Sequence, residues 1–398
     1  MDVYLLDWAN LLLRWLHVMI AISWIGSSFY FIWLDNHLER PQPGDRTAGG
    51  ADGELWAVHG GGFYHPVKYM VAPAHLPTKL HWFYWDAYVT WMSGFALFVV
   101  LYLWNADAYL IDRQVRDWPT SYAIGAALAY LGLGWVAYDL ICRTVGHRES
   151  GDRMVAILVA VYTAAAAWIA CQLFAGRAAF LLTGAMIATI MSANVLMVII
   201  PGQKKVVAAM RAGETPDPIH GMRGKQRSVH NSYFTLPVLF AMLSNHYSLA
   251  YGAPSNWLVL ILILLSGALI RHFFILTHKG IRNWGYAAAA VLLLAGVAAW
   301  IAPRPEATAA RAGAAPAVAA NRFDQIQEII RRRCEMCHNA QLASKNVQLH
   351  TPAFIVRNGQ LIYQQAVLHR NMPLNNSTGI TEEERAILGA WAREGAGP

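Results

Sequence analysis

Charge is scarce in this chain: of 398 residues only 14% are Asp, Glu, Lys or Arg, while 56% are hydrophobic. A soluble domain carries about a quarter charged residues, so a water-exposed globule is excluded for most of the length and a membrane protein is expected. Cysteine is scarcer still, with four residues in all. Cys142 and Cys171 sit in or at the ends of apolar stretches, where they read as small buried hydrophobes. They also fall at opposite membrane faces, which argues against a bridge between them. No Walker, dinucleotide or zinc-ligand spacing occurs, and no basic stripe is interleaved with aromatics, so no nucleic-acid partner is expected. The first apolar run follows Met1-Asp2-Val3-Tyr4 without a basic n-region or a small-residue cleavage site, so it reads as a retained helix rather than a signal peptide.

What the chain has instead is long apolar runs. Stretches able to cross the ~30 Å hydrocarbon layer begin near Trp8, Trp82, Tyr122, Met154, Ala178, Val229, Trp257 and Tyr286, and the last ends near Ile301. The expected fold is therefore all-α: an eight-helix transmembrane bundle over residues 1–302. Only Ala175, Gly176 and Arg177 separate the fourth and fifth runs, which predicts a tight hairpin. The connections after runs one, three, five and seven carry fifteen Lys or Arg residues, Arg143, Lys205, Arg223 and Arg227 among them. The other connections carry only Arg113, Arg116 and Arg177. By the positive-inside rule the first set is cytoplasmic and both termini lie outside. The net charge of +7 is thus mostly an orientation signal.

Beyond the bundle, residues 303–320 are Ala-rich with Pro303, Pro305 and Pro316 and have no apolar period, the pattern of a semi-flexible tether. Residues 321–398 then contain Cys334-Glu335-Met336-Cys337-His338. Two thiols three apart followed at once by histidine suit covalent haem: each thiol adds to a vinyl group, and the imidazole reaches the iron. Phe323, Ile326 and Ile330 mark the apolar face of a helix before the motif. Thr381 to Glu384 form a capping box ahead of a helix that buries Ile387, Leu388 and Trp391. This predicts a small domain like a class I cytochrome c. Met372 in Asn371-Met372-Pro373 is the expected sixth ligand, with His350 and His369 as substitutes. An outward-facing terminus agrees with this, because c-type haem is attached on the outer face of the bacterial inner membrane.

Histidines at membrane depth form a second signal. Ligand-capable side chains there are costly and default to a functional hypothesis. His17 and His246 fall in the outer half, where they read either as axial ligands of a b-type haem between facing helices or as interhelical hydrogen-bonding groups. On the inner side, the Gly-rich segment His59 to Lys68, His81 and the pair His230-Asn231 stand at membrane boundaries. There His65, His81, His230 and Asn231 read either as a pocket for a planar anion or as parts of solvated loops. His272 lies at the same depth. Asp35, Asp86 and Asp139 should each find a cationic partner or a proton path, with Arg14 and Arg271 as candidates.

The stretches running from Trp15 through His17, Trp24 and Gly26 to Tyr30, and from Ser228 through His230, Asn231 and Pro237 to His246 and Tyr247, resemble the membrane-bound bacterial urate oxidases that carry a C-terminal cytochrome c. The likeness covers bundle, tether and haem module in that order. It implies oxidation of urate to 5-hydroxyisourate in purine breakdown. Electrons would pass through the chain's own haem c to a soluble cytochrome c or terminal oxidase, without peroxide. Two other classes stay open: a quinol:cytochrome c oxidoreductase, and a membrane-anchored electron carrier whose helices serve only as anchor. One span would suffice as an anchor, so eight argue against the latter. Two electrons per urate against one per haem c, and a ~30 Å barrier to cross, would both be answered by a haem at His17 and His246.

Overall fold

The computed structural model describes residues 2–41, 50–69, 72–113, 115–146, 151–302, 322–343, 347–368 and 370–397. The tether at 303–320 and His369 lie outside the described residues.

Helix α1 (Asp2–His37) leads into a connection that holds two small antiparallel ribbons. Strands β1 (Gly53–Glu54) and β4 (Val67–Lys68) flank a hairpin of β2 (Ala57–His59) and β3 (Gly62–Tyr64). Gly60 and Gly61 make the hairpin turn at φ of 58° and 81°, conformations that a side chain would strain. The bundle continues with α2 (Trp85–Phe98), the short α3 (Ala106–Tyr109), α4 (Thr120–Val145) and α5 (Gly151–Leu173). Then come α6 (Gly176–Ala193), α7 (Ile200–Arg211), α8 (Pro218–Leu243), α9 (Ser248–Tyr251), α10 (Asn256–His278) and α11 (Trp284–Trp300). A π-helical segment, Asn194–Ile199, joins α6 and α7 without a break.

All eight apolar runs fold as helices, but six are long and apolar enough to span by length and composition: 4–37, 85–103, 120–145, 151–173, 176–211 and 256–278. The other two differ for local reasons. Helix α8 starts in the polar segment Pro218 to Arg227 before its apolar half, and α11 has only 17 residues. Six such helices are compatible with a multi-pass membrane protein. The α5–α6 hairpin is tighter than expected, since Gly176 and Arg177 already belong to α6 and only Phe174 and Ala175 connect.

Helix α6 is the axis of the bundle, with α4, α5 and α8 packed around it. Small residues make this possible. A Cβ at Gly184 would sit 2.7 Å from Ala241 on α8, and one at Gly134 on α4 would sit 2.4 Å from Met186. Such close approaches replace the hydrophobic driving force that helices lack in lipid. Helix α1 stands at the periphery, packed mainly on α2.

The C-terminal module is built from α12 (Arg322–Arg333), α13 (Pro352–Arg357), α14 (Gly359–Ile362) and α15 (Glu382–Arg393). The Thr381–Glu384 capping box is present in both directions, so two orphan N–H groups of α15 are satisfied as its sequence demands. Helices α12 and α15 pack through Ile326, Ile330, Leu388 and Trp391, all buried, with the Phe323 and Trp391 ring centroids 6.2 Å apart. Arg333 ties the two ends, bonding Glu384 at 3.0 Å and the Thr378 carbonyl. Tyr251, at the end of α9, meets Asn371 at 3.4 Å. This sets the segment beside Met372 against the end of the bundle away from its basic loops.

Candidate functional site

The most heavily bonded polar group in the bundle grows out of the π segment. A π turn moves a side chain out of helical register and is frequent at functional sites. Here it carries Asn194, fully buried in an otherwise apolar run. The Asn194 amide donates to Tyr138 Oη at 3.1 Å and to Asn231 Oδ1 at 3.0 Å, and its oxygen accepts from Arg227 at 3.3 Å. Asn231 in turn donates to the Met191 carbonyl at 3.0 Å. Both ends of the Asn231 amide are therefore used within the fold, and it joins helices rather than facing a ligand.

Arg227 is 4% exposed and reaches Asp139 at 2.7 Å, with its guanidinium carbon 4.9 Å from the Tyr138 ring centroid. Arg143 holds the other Asp139 oxygen at 2.6 Å. The cationic partners of Asp139 are thus Arg227 and Arg143, not the Arg14 or Arg271 considered from sequence. Asp35 likewise pairs with Lys68 at 2.6 Å, and Asp86 accepts from Ser23 at 3.1 Å. A buried charge is tolerated when paired and hydrogen-bonded on every side, which is the condition that Asn194, Tyr138 and Asp139 meet for Arg227.

His230 is the member of this network that faces outward. Its Nδ1 is 2.7 Å from Tyr138 Oη, and its Nε2 makes no hydrogen bond among the described residues. Whichever partner donates in that bond sets what Nε2 offers: a lone pair if Nδ1–H donates, an N–H if the phenol does. His230 lines a cavity of about 1430 Å³ between α4, α5, α7, α8 and α10. Arg143, Arg153, Lys205 and Lys225 line its polar part, and Val159, Ile261, Leu264 and Ala268 its apolar walls. Tyr233 and His272, bonded at 2.6 Å, line it as well. Four cationic side chains together with an imidazole nitrogen suit a planar anion with exchangeable protons.

The other expected residues lie elsewhere. His65 is stacked on Trp56, with centroids 4.1 Å apart, and paired with Glu54 at 3.0 Å, so the ribbon holds it. His81 is exposed in an extended segment before α2. Of the four inner-side residues, His230 and Asn231 share one network. His17 on α1 is half-buried, its Nδ1 3.0 Å from the Thr90 carbonyl and 3.1 Å from Ser93 Oγ. The ring packs so closely that a Cβ at Gly94 would lie 2.8 Å from it. His246 is exposed in the turn after α8, and the two histidines share no hydrogen-bond partner among the described residues. Three residues of the network were missed as site residues: Tyr138, Asn194 and Arg227. Asn194 was detectable as a lone amide inside an apolar run.

In the C-terminal module the Cys334–His338 turn closes at the end of α12, His338 N–H donating to the Cys334 carbonyl at 3.1 Å. His338 Nδ1 is 3.1 Å from the Val347 carbonyl, which fixes the tautomer and leaves Nε2 available, as second-sphere anchors of ligating histidines do. Burial pushes the Cys334 thiol up to about 12, whereas Cys337 is exposed. Met372 is held through its backbone, its N–H on the Gln365 carbonyl and its own carbonyl on Arg385, both at 3.0 Å. The residues present fit a covalently attached haem.

Fold and site together define a multi-pass helical bundle with a buried ionised network at its basic end, joined to a small helical module. Residues 3–302 match the family described as urate oxidase N-terminal, and the chain belongs to that family. It is accordingly a urate-related oxidoreductase. No curated protein and no solved structure matches the chain.

Proposed function

We propose that the chain is a membrane-bound urate oxidase of the bacterial inner membrane, which converts urate to 5-hydroxyisourate at the basic, cytoplasmic end of the bundle. The observation that carries this reading is His230 Nε2, presented by Tyr138 into a cavity rimmed with cations. The urate monoanion and one water yield neutral 5-hydroxyisourate, one proton and two electrons. Arg143, Arg153, Lys205 and Lys225 attract the anion, and His230 takes the proton from the attacking water while Tyr138 holds the ring.

The other end of the bundle supports the electron exit. Cys334, Cys337, His338 and Met372 would hold haem c, which supplies a one-electron acceptor when bound. The Tyr251–Asn371 contact, at the end of the bundle away from its basic loops, supports an outer-side module that would pass electrons to a soluble cytochrome c or a terminal oxidase. A second haem, of b type, is proposed only at His17. Its Nδ1 is anchored as a ligand's would be, whereas His246 has no comparable anchor among the described residues.

The apolar walls at Val159, Ile261 and Leu264 favour a second reading, in which the cavity takes a quinol. One experiment separates the two. Urate or a short-chain quinol is added to the purified full chain and the haem c absorption band is followed. Urate should reduce the band, and His230→Ala should keep its haem but lose urate-driven reduction by about a hundredfold or more. Reduction by quinol and not by urate would replace the first reading with the second.

A further inference from the structure

A second basic site lies under α1, apart from the cavity. Arg271 on α10 is 4% exposed and takes part in none of the ion pairs among the described residues. Its Nε donates to Ser232 Oγ at 2.8 Å, its guanidinium carbon lies 4.1 Å from the Phe29 ring centroid, and its Nη2 is buried without a hydrogen-bond partner. Ser232 and Arg271 are neighbours in sequence of Tyr233 and His272, yet they turn away from the cavity that those two line and face α1 instead.

Two turns along α10, about 10 Å at 1.5 Å per residue, His278 repeats the pattern. Its Nδ1 is also buried without a partner, and its ring is 5.5 Å from that of His37. Helix α1 matches this stripe with Phe29, Trp33 and His37 at four-residue spacing, and Trp33 and His37 lie 4.8 Å apart. An uncompensated buried guanidinium is costly, and an orphaned N–H beside it adds to the cost. Both are relieved by an anion with acceptor oxygens. The aromatic flank on α1 adds flat surfaces on which a ring can stack.

We propose that the seam between α1 and α10, at Arg271, Phe29, Trp33, His37 and His278, binds a planar heteroaromatic monoanion at a site separate from the His230 cavity. Under the proposed reaction that anion is urate, and the naming of the ligand rests on that reading. Arg271 supplies the charge and the open N–H edge, Trp33 and His37 the stacking wall, and His278 a second polar contact.

The test uses the full chain in nanodiscs, reduced beforehand and kept free of air so that urate is not consumed, and equilibrium dialysis with radiolabelled urate, with hypoxanthine as the uncharged competitor. Wild type should bind urate in two classes of site. Arg271→Met should lose one class, Arg271→Lys should weaken it about tenfold, and Phe29→Leu should weaken it several-fold. Hypoxanthine should not displace urate from this class. Haem content and a single size-exclusion peak report folding, and Phe29→Leu, which removes no charge, covers the case in which Arg271→Met does not fold. Wild-type stoichiometry and affinity in the folded Arg271→Lys and Phe29→Leu proteins would overturn the seam. Failure of urate to reduce the wild-type haem would sink the proposed reaction alone, leaving the dialysis to decide the seam.

Discussion

The C-terminal module and the bundle hold their polar groups in opposite ways. In the module, Cys334, Cys337 and His338 are close in sequence, one turn presents them, and α15 pins that turn through Arg333 and Glu384. In the bundle, Tyr138, Asn194, Arg227 and His230 come from three helices, and each is held by the others. A local site can be lost without the fold, whereas a distributed one is part of what the fold rests on. Substitutions should therefore separate the two regions sharply.

The largest effect is expected in the module. Cys334→Ala combined with Cys337→Ala should abolish covalent haem, read as loss of haem staining on a denaturing gel. The bundle should meanwhile insert and run as wild type on size exclusion. Failure of the double variant to insert would break the comparison. An intermediate effect is expected at Arg227. Arg227→Met leaves Asp139 with Arg143 alone and strips a partner from Asn194, so the loss should reach the roughly 3–5 kcal/mol of a broken buried pair. Thermal unfolding of the detergent-solubilised chain measures it, and a shift no larger than that of the exposed Arg113→Met would show the network to be less interdependent than its geometry implies.

The smallest effect concerns pH. Burial pulls the Glu384 carboxyl up, but the hydrogen bonds from Arg333 and from the Thr381 backbone, with the charges of Arg333 and Arg332, outweigh it and hold the group below its ordinary value. A carboxyl lowered in the folded state contributes stability that is present above its unfolded value, about 4.3, and lost as pH falls through the folded one. The α12–α15 contact should therefore loosen below about pH 4. Glu384→Gln should flatten that dependence in near-UV circular dichroism, which the Trp391 environment dominates if the module is read by difference from the truncated bundle.

How much of this was legible follows the same division. The capping box at Thr381 and the apolar face at Ile326 and Ile330 are short-range patterns, and each appears where the sequence placed it. The apolar runs likewise gave the helices, though α8 hid its polar half behind the apolar segment that follows Val229. The partners of Asp139 were not legible. Arg143 is one turn away and Arg227 lies in another helix, and nothing in either stretch announces which carboxylate it will meet. Asn231 was visible as a polar residue at the boundary, but only the geometry shows that both ends of its amide are occupied. Arg271 read as a candidate partner for a membrane aspartate, and only the geometry shows that it bonds Ser232 instead and leaves its Nη2 without a hydrogen bond.

The π segment at Asn194–Ile199 has a consequence for insertions and deletions. A helix advances about 100° per residue, and a π turn absorbs one extra residue, so α7 keeps nearly the phase that a regular helix one residue shorter would give it. Removing one residue there would restore regular winding and leave Lys204 and Lys205 near the face they already occupy, with little change to the stripe that α6 shows to α4 and α8. The same deletion near Gly184 would rotate every contact of the central helix. This segment of the central helix is thus a point where the chain's length can change by a residue while the core and the inner rim both keep their phase.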